Sequence, residues 1–157
     1  MLSQVFSKEK TQKIIDVMPP ELIVWKAVGC IDECFVASIF CDASTDYYKS
    51  GLCNNIPGKW SYSGYPIGYH SFIKKGQADI YRDGWFPLKV RGTVRVVSAR
   101  ISKIDIYAIG YDQNDCGLTI VTTQIFMPTY PNTDITKELE PAPLMEDCQE
   151  AMELMEV

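Results

Sequence analysis

At 157 residues, 46% apolar and 22% charged, the chain suits one domain with a sizeable core. Its net charge of −5 argues against a protein built as a whole to coat nucleic acid. No window approaches the ~20 apolar residues of a membrane span, and residues 1–10 lack the basic-then-apolar order of a secretory signal. A cytoplasmic protein with no membrane contact is expected.

Ser7 to Met18 reads as a short helix, capped by Ser7, with Ile14, Ile15 and Met18 on its apolar side and Pro19-Pro20 as the stop. Leu22–Val28 is a nearly continuous apolar run of strand length, interrupted by Lys26, and reads as a central strand. Val36–Cys41 is a second candidate strand. From Asp42 to Gly68, clusters of Asp, Ser, Asn, Pro and Gly predict a long irregular excursion, of the kind that often carries function. Tyr69–Ile73 reads as a short strand and Gly76–Tyr81 as a helical turn.

Leu88–Val97 alternates, with Lys89, Arg91 and Arg95 on its polar face. Ile101–Ile109 places Ile104, Ile106 and Ala108 on one face, and Leu118–Phe126 follows a turn at Asp112–Gly117. Short connectors between these last three strands predict an antiparallel meander. The class is α+β: a mainly antiparallel sheet of five or six strands, a short N-terminal helix and a C-terminal acidic amphipathic helix.

Charge divides the chain into a globular body, 1–131, and an acidic tail, 132–157. The tail holds eight acidic residues and one lysine, whereas the body holds fourteen basic and twelve acidic residues. Pro143 suits a first helical position, and Leu144, Cys148, Ala151, Met152 and Met155 make one apolar stripe. That stripe could cover the chain's own body, or a partner or second copy; a disordered tail is the further alternative. Between Lys74 and Lys103 the body gathers eight basic residues against Asp79 and Asp83. They read either as a polyanion-binding strip or as a cradle for the tail.

The cysteines are Cys30, Cys34, Cys41, Cys53, Cys116 and Cys148. No Cys-x2-Cys knuckle of a structural zinc site occurs, and a reducing compartment favours free thiols, with a disulfide as the alternative. Neither a metal nor a cofactor is expected, and Cys148 reads as an exposed thiol. His70, the one histidine, is the candidate acid–base group. Ser71 follows it, but in a strand the two would face opposite ways. Trp25, Lys26, Trp60, Tyr69 and Phe72, with Lys89, Arg91 and Arg95, are the candidate binding residues, since aromatic and basic groups suit recognition surfaces.

Trp25-Lys26, Gly58-Lys59-Trp60, Gly68-Tyr69-His70-Ser71-Phe72, Ala78 and Val90-Arg91-Gly92-Thr93-Val94 form a layout. It resembles small uncharacterised proteins of phages and bacterial mobile elements, and implies a mobile-element setting without implying a chemistry. A more distant resemblance, carried by Trp25-Lys26, Ser71 and Gln77-Ala78 to Tyr81, is to ADP-ribosyltransferases. It implies NAD-dependent transfer, but Gln124 stands on the late strand where those enzymes carry a glutamate. The expectation is therefore a non-enzymatic protein that binds a protein partner or a second copy of itself. A small enzyme acting through His70 is the alternative, and a nucleic-acid or polyanion binder the third reading.

Overall fold

The computed structural model describes residues 2–31, 33–36, 51–53, 59–60, 66–84, 93–112 and 117–156. Lys89, Arg91, Cys41, Cys116, most of the 42–68 excursion and the side chain of Trp60 lie outside the described residues. In chain order the elements are β1 (Leu2–Val5), α1 (Lys8–Asp16), β2 (Glu21–Ile31), β3 (Cys34–Val36), β4 (Gly51–Cys53), β5 (Lys59–Trp60) and β6 (Pro66–Ile67). After these come β7 (Tyr69–Phe72), α2 (Lys75–Gly84), β8 (Thr93–Ser102), β9 (Ile106–Asp112), β10 (Gly117–Thr122), β11 (Ile125–Met127) and α3 (Gln149–Met155). The class is α+β. β5 and β6 pair only with each other, and the other strands form one antiparallel sheet in the order β1-β9-β10-β7-β2-β8-β11-β4, with β3 on β2. The sheet exceeds the expected five or six strands because short pieces such as β1 and β4 carry little periodic signal.

β2 is the axis of the sheet. Its ladder with β8 runs unbroken from Glu21↔Ser102 to Cys30↔Thr93. It is apolar on both faces because both faces are covered. On one side Leu22, Val24 and Val28 join Ile14 of α1, Met18 just after it, and Ala151 and Met155 of α3 in the main core. On the other side Ala27 and Trp25 meet Ala78 and Tyr81 of α2. α1 starts where the Ser7 hydroxyl accepts the Lys10 N–H at 3.1 Å, as its sequence predicts.

The last strands depart from a simple meander. No break occurs between Val97 and Ile101; Ser98, Ala99 and Arg100 continue β8, held by pairing with Trp25, Val24 and Ile23. The break falls instead at a 3₁₀ turn, Lys103–Asp105, and the partner strand breaks at Thr123-Gln124. β9 pairs with β10 along its length, whereas beyond the breaks β11 pairs with β8 at Phe126↔Arg100. One hairpin is thus bent at matching points, and the Thr123 N–H donates to the Asp105 carbonyl at 3.0 Å across the bend. Both halves of the sheet are drawn together at this corner. At the far edge, β1 lies so close to β9 that a Cβ on Gly110 would collide with the Gln4 carbonyl, so only glycine fits there.

The acidic segment folds back on the body. The Ile23 N–H donates to the Pro143 carbonyl at 2.9 Å, and Ile23 and Leu144 form a parallel bridge beside β2. Pro143 precedes rather than opens a helix: a 3₁₀ turn at Met145–Asp147 leads into α3. Met145, Ala151 and Met155 are fully buried, and α3 packs against α1. Cys148 is half-buried against the same core, and burial, then Asp147, pushes its thiol pKa up. Met155→Ala should therefore cost about 2–5 kcal/mol in urea unfolding. Exposed Glu153→Gln should stay within about 0.5 kcal/mol. An unshifted midpoint for Met155→Ala would place α3 outside the cooperative core.

Candidate functional site

β7 carries the residues that drew attention in the sequence. Trp25↔Phe72 is its single pairing with β2, which sets Phe72 and His70 on the Trp25 face and Tyr69 and Ser71 on the Lys26 face. His70 and Ser71 therefore stand back to back and cannot work as a base–nucleophile pair. Tyr69 is 1% exposed, Lys26 3%, and His70 and Phe72 6% each. The strand β7 that carries Tyr69, His70 and Phe72 lies between β10 and β2, the strand of Lys26. Trp25 is half-buried, with the Lys75 ammonium 5.8 Å from its ring centroid, and Phe72 tilts against Tyr81 at 5.4 Å. Ser71 Oγ and Thr122 Oγ1 are buried with no hydrogen-bond partner among the described residues.

Lys26 has an identifiable task. Where the β2–β7 ladder stops, a buried carbonyl would lose its strand partner. Lys26 Nζ donates to the His70 carbonyl at that point. The oddity in the apolar run thus ties two central strands together.

The basic stretch is largely committed to its own chain. Arg95 Nη1 donates to the Pro131 carbonyl at 3.2 Å and Arg100 Nη1 to the Glu140 carbonyl at 3.0 Å. Lys74 pairs with Glu156 at 3.0 Å, and the Lys75 N–H donates to Glu146 at 3.1 Å. Arg82 is bonded to Asp83, and Lys103 Nζ donates to the Met18 carbonyl. The Arg95 charge also opposes the upward push that burial gives the Cys30 thiol. Of the described members, Lys74 and Arg100 reach the tail, Arg95 reaches Pro131 just before it, and Arg82 and Lys103 bond elsewhere in the body.

The bent corner opens a cavity of about 430 Å³. Its walls are Ile104, Ile125, Phe126 and Leu139, and its polar groups are Glu21, Arg100, Ser102, Asp105 and Gln124. Arg100 Nε lies 3.7 Å from Glu21 Oε2. Burial, then the neighbouring Glu21 charge, raises the Asp105 pKa. Ile104, expected on the apolar face of a strand, is instead 85% exposed in the 3₁₀ turn. A second, smaller cavity of about 350 Å³ lies between α1 and β9, beside Phe6, Ile15 and Tyr107.

The corner was missed in the sequence because its residues are scattered and form no motif. One signal was available: Ile101, Ile104 and Ile106 cannot all share the face of a single regular strand. Gln124, the departure from the transferase pattern, lines the corner, but Trp25, Lys26, Ser71 and Gln77, which carry that resemblance, do not. Among the described residues, no three His, Cys, Asp or Glu side chains gather as a metal ion would need. No described helix is long and apolar enough to cross a membrane. No family model, curated protein or solved structure matches the chain.

Lys26→Ala leaves the His70 carbonyl without its ammonium and opens a void, and should cost about 2–5 kcal/mol in urea unfolding. Lys26→Met restores most of the volume and should cost less. Equal losses would mean that the hydrogen bond alone, and not the filled volume, decides this position.

Asp105 gives a pH signature. Its raised folded pKa means that the ionised side chain destabilises the native state, fully above that pKa. The penalty fades as pH falls towards the unfolded value of about 3.9. Asp105→Asn should thus be more stable than the parent at pH 7, with the advantage shrinking towards pH 4. Urea midpoints compared across that range check this, and an advantage that grows on acidification would contradict it.

Proposed function

We propose that the chain is a non-enzymatic binding protein that takes a segment of a protein partner in the corner cavity. The observation carrying this is the continuity of apolar surface from the cavity walls out onto Ile104, 85% exposed at the rim. A lone exposed isoleucine is ordinary, but one that extends an open cavity offers an anchor pocket and a lip together. The surface first expected, residues 42–72 with Lys89, Arg91 and Arg95, lies mostly outside the described residues, and Arg95 is bonded to Pro131. Because Lys74, Arg82, Arg95, Arg100 and Lys103 are each bonded within the chain, a protein partner is favoured over a polyanion.

Peptide display against the full chain tests this reading. Enriched peptides should bind at least tenfold more weakly to Ile104→Asp, the loss of a modest anchor. Ile80→Asp, at a 54% exposed position on α2, should leave binding unchanged. Peptides indifferent to Ile104→Asp, or no enrichment, would overturn the corner as the recognition site.

A further inference from the structure

Resting on that reading, we propose that the side chain taken by the corner cavity is cationic: a lysine or arginine of the partner, its apolar stem against the cavity walls and its head at Asp105. Three charged residues line the cavity, Glu21, Asp105 and Arg100, leaving one negative charge in excess. Arg100 is held twice, by the Glu21 carboxylate at 3.7 Å and by the Glu140 carbonyl at 3.0 Å. Lys103, the adjacent cation in sequence, reaches the Met18 carbonyl. Among the described residues Asp105 has no ion-pair partner, although it is drawn out of water beside a second carboxylate.

That arrangement favours one ligand charge. An anion entering here would meet two carboxylates and a guanidinium already paired with one of them and bonded to the Glu140 carbonyl. A neutral apolar side chain would fill the walls but leave Asp105 further desolvated, which raises its cost. An ammonium or guanidinium supplies the missing charge, and a guanidinium can also meet a carboxylate through two parallel hydrogen bonds. Long basic side chains suit such a place because their methylene stems cover apolar surface while the head stays on the polar group. Ile104 and Phe126 offer that surface, and Gln124 offers a further acceptor.

The test uses the full chain with ¹³C-labelled isoleucine methyls. It is titrated separately with butylguanidinium and with butanoate, a cation and an anion carrying similar apolar stems. Butylguanidinium should shift the Ile104 and Ile125 methyls saturably, with Kd on the order of 10 mM for so small a ligand, and leave the deeply buried Ile14 unmoved. Butanoate at equal concentration should not, and Asp105→Asn should weaken the guanidinium at least fivefold. Equal binding of butanoate, no saturable shift from butylguanidinium, or an unweakened Asp105→Asn would each overturn the inference. The two proposals fail separately. Displayed peptides that depend on Ile104 but lack basic residues would remove the cation and keep the binding reading. Butylguanidinium seated in the cavity with no Ile104-dependent peptide would do the reverse.

Discussion

The hydrogen bond from the Thr123 N–H to the Asp105 carbonyl marks the constraint on which this architecture depends. Two strands of one hairpin change direction together, at Lys103–Asp105 and at Thr123-Gln124. A strand that bends alone leaves backbone groups unpaired, and buried unpaired groups are costly. Bending both strands at facing positions lets the ladder resume on each side, as β9–β10 and as β8–β11. The sheet then closes over the core shared by β2, α1 and α3. The outer side of the bend is left open, and the cavity lies there.

A second constraint is the acidic segment. Its apolar stripe completes the main core through Ala151, Met152 and Met155, joined by Met145 of the preceding turn, and its backbone runs beside β2 at Ile23. The charge division along the sequence is met in part within the chain. Lys74 pairs with Glu156, Arg100 donates to the Glu140 carbonyl, Arg95 donates to the Pro131 carbonyl just before the tail, and the Lys75 backbone N–H donates to Glu146. Exposed pairs of this kind contribute little stability each. Apolar burial is what holds the segment down.

Legibility in the sequence followed how local each cause was. α1 could be read because its cap, stripe and Pro-Pro stop are all neighbours in sequence. β2 could be read because burial on both faces leaves an apolar run broken only by Lys26. The extent of β8 could not: Ser98-Ala99-Arg100 looks like a connector, and only pairing with β2 keeps it extended. Ile104 was misassigned for the complementary reason, since a three-residue 3₁₀ turn inside an alternating stretch shifts the facing of whatever follows. His70 was conspicuous as the only histidine, yet its backbone carbonyl, bound by Lys26, has the clearer structural role. No sequence pattern marks a role played by a carbonyl. The corner cavity was illegible for a similar reason, as Glu21, Arg100, Asp105 and Gln124 meet only because two distant strands bend at matching points.

That distinction between backbone and side chain bears on Asp105 itself. The fold uses its carbonyl to close the corner, a service any residue with the same backbone geometry could perform. Its carboxylate contributes nothing to that bond and, being desolvated beside Glu21, works against the native state at neutral pH. Asparagine or serine would also serve in such a turn without placing a second negative charge in the cavity. A side chain that opposes stability, at a position where the backbone asks nothing of it, is the pattern expected of a group whose purpose lies outside folding. Arg100 shows the contrary case, since its charge is taken up by Glu21 and by the Glu140 carbonyl and thereby helps to seat the acidic segment. Within one cavity, then, Arg100 has partners within the fold while Asp105 has no ion-pair partner among the described residues, and that carboxylate is where the proposed recognition would be concentrated.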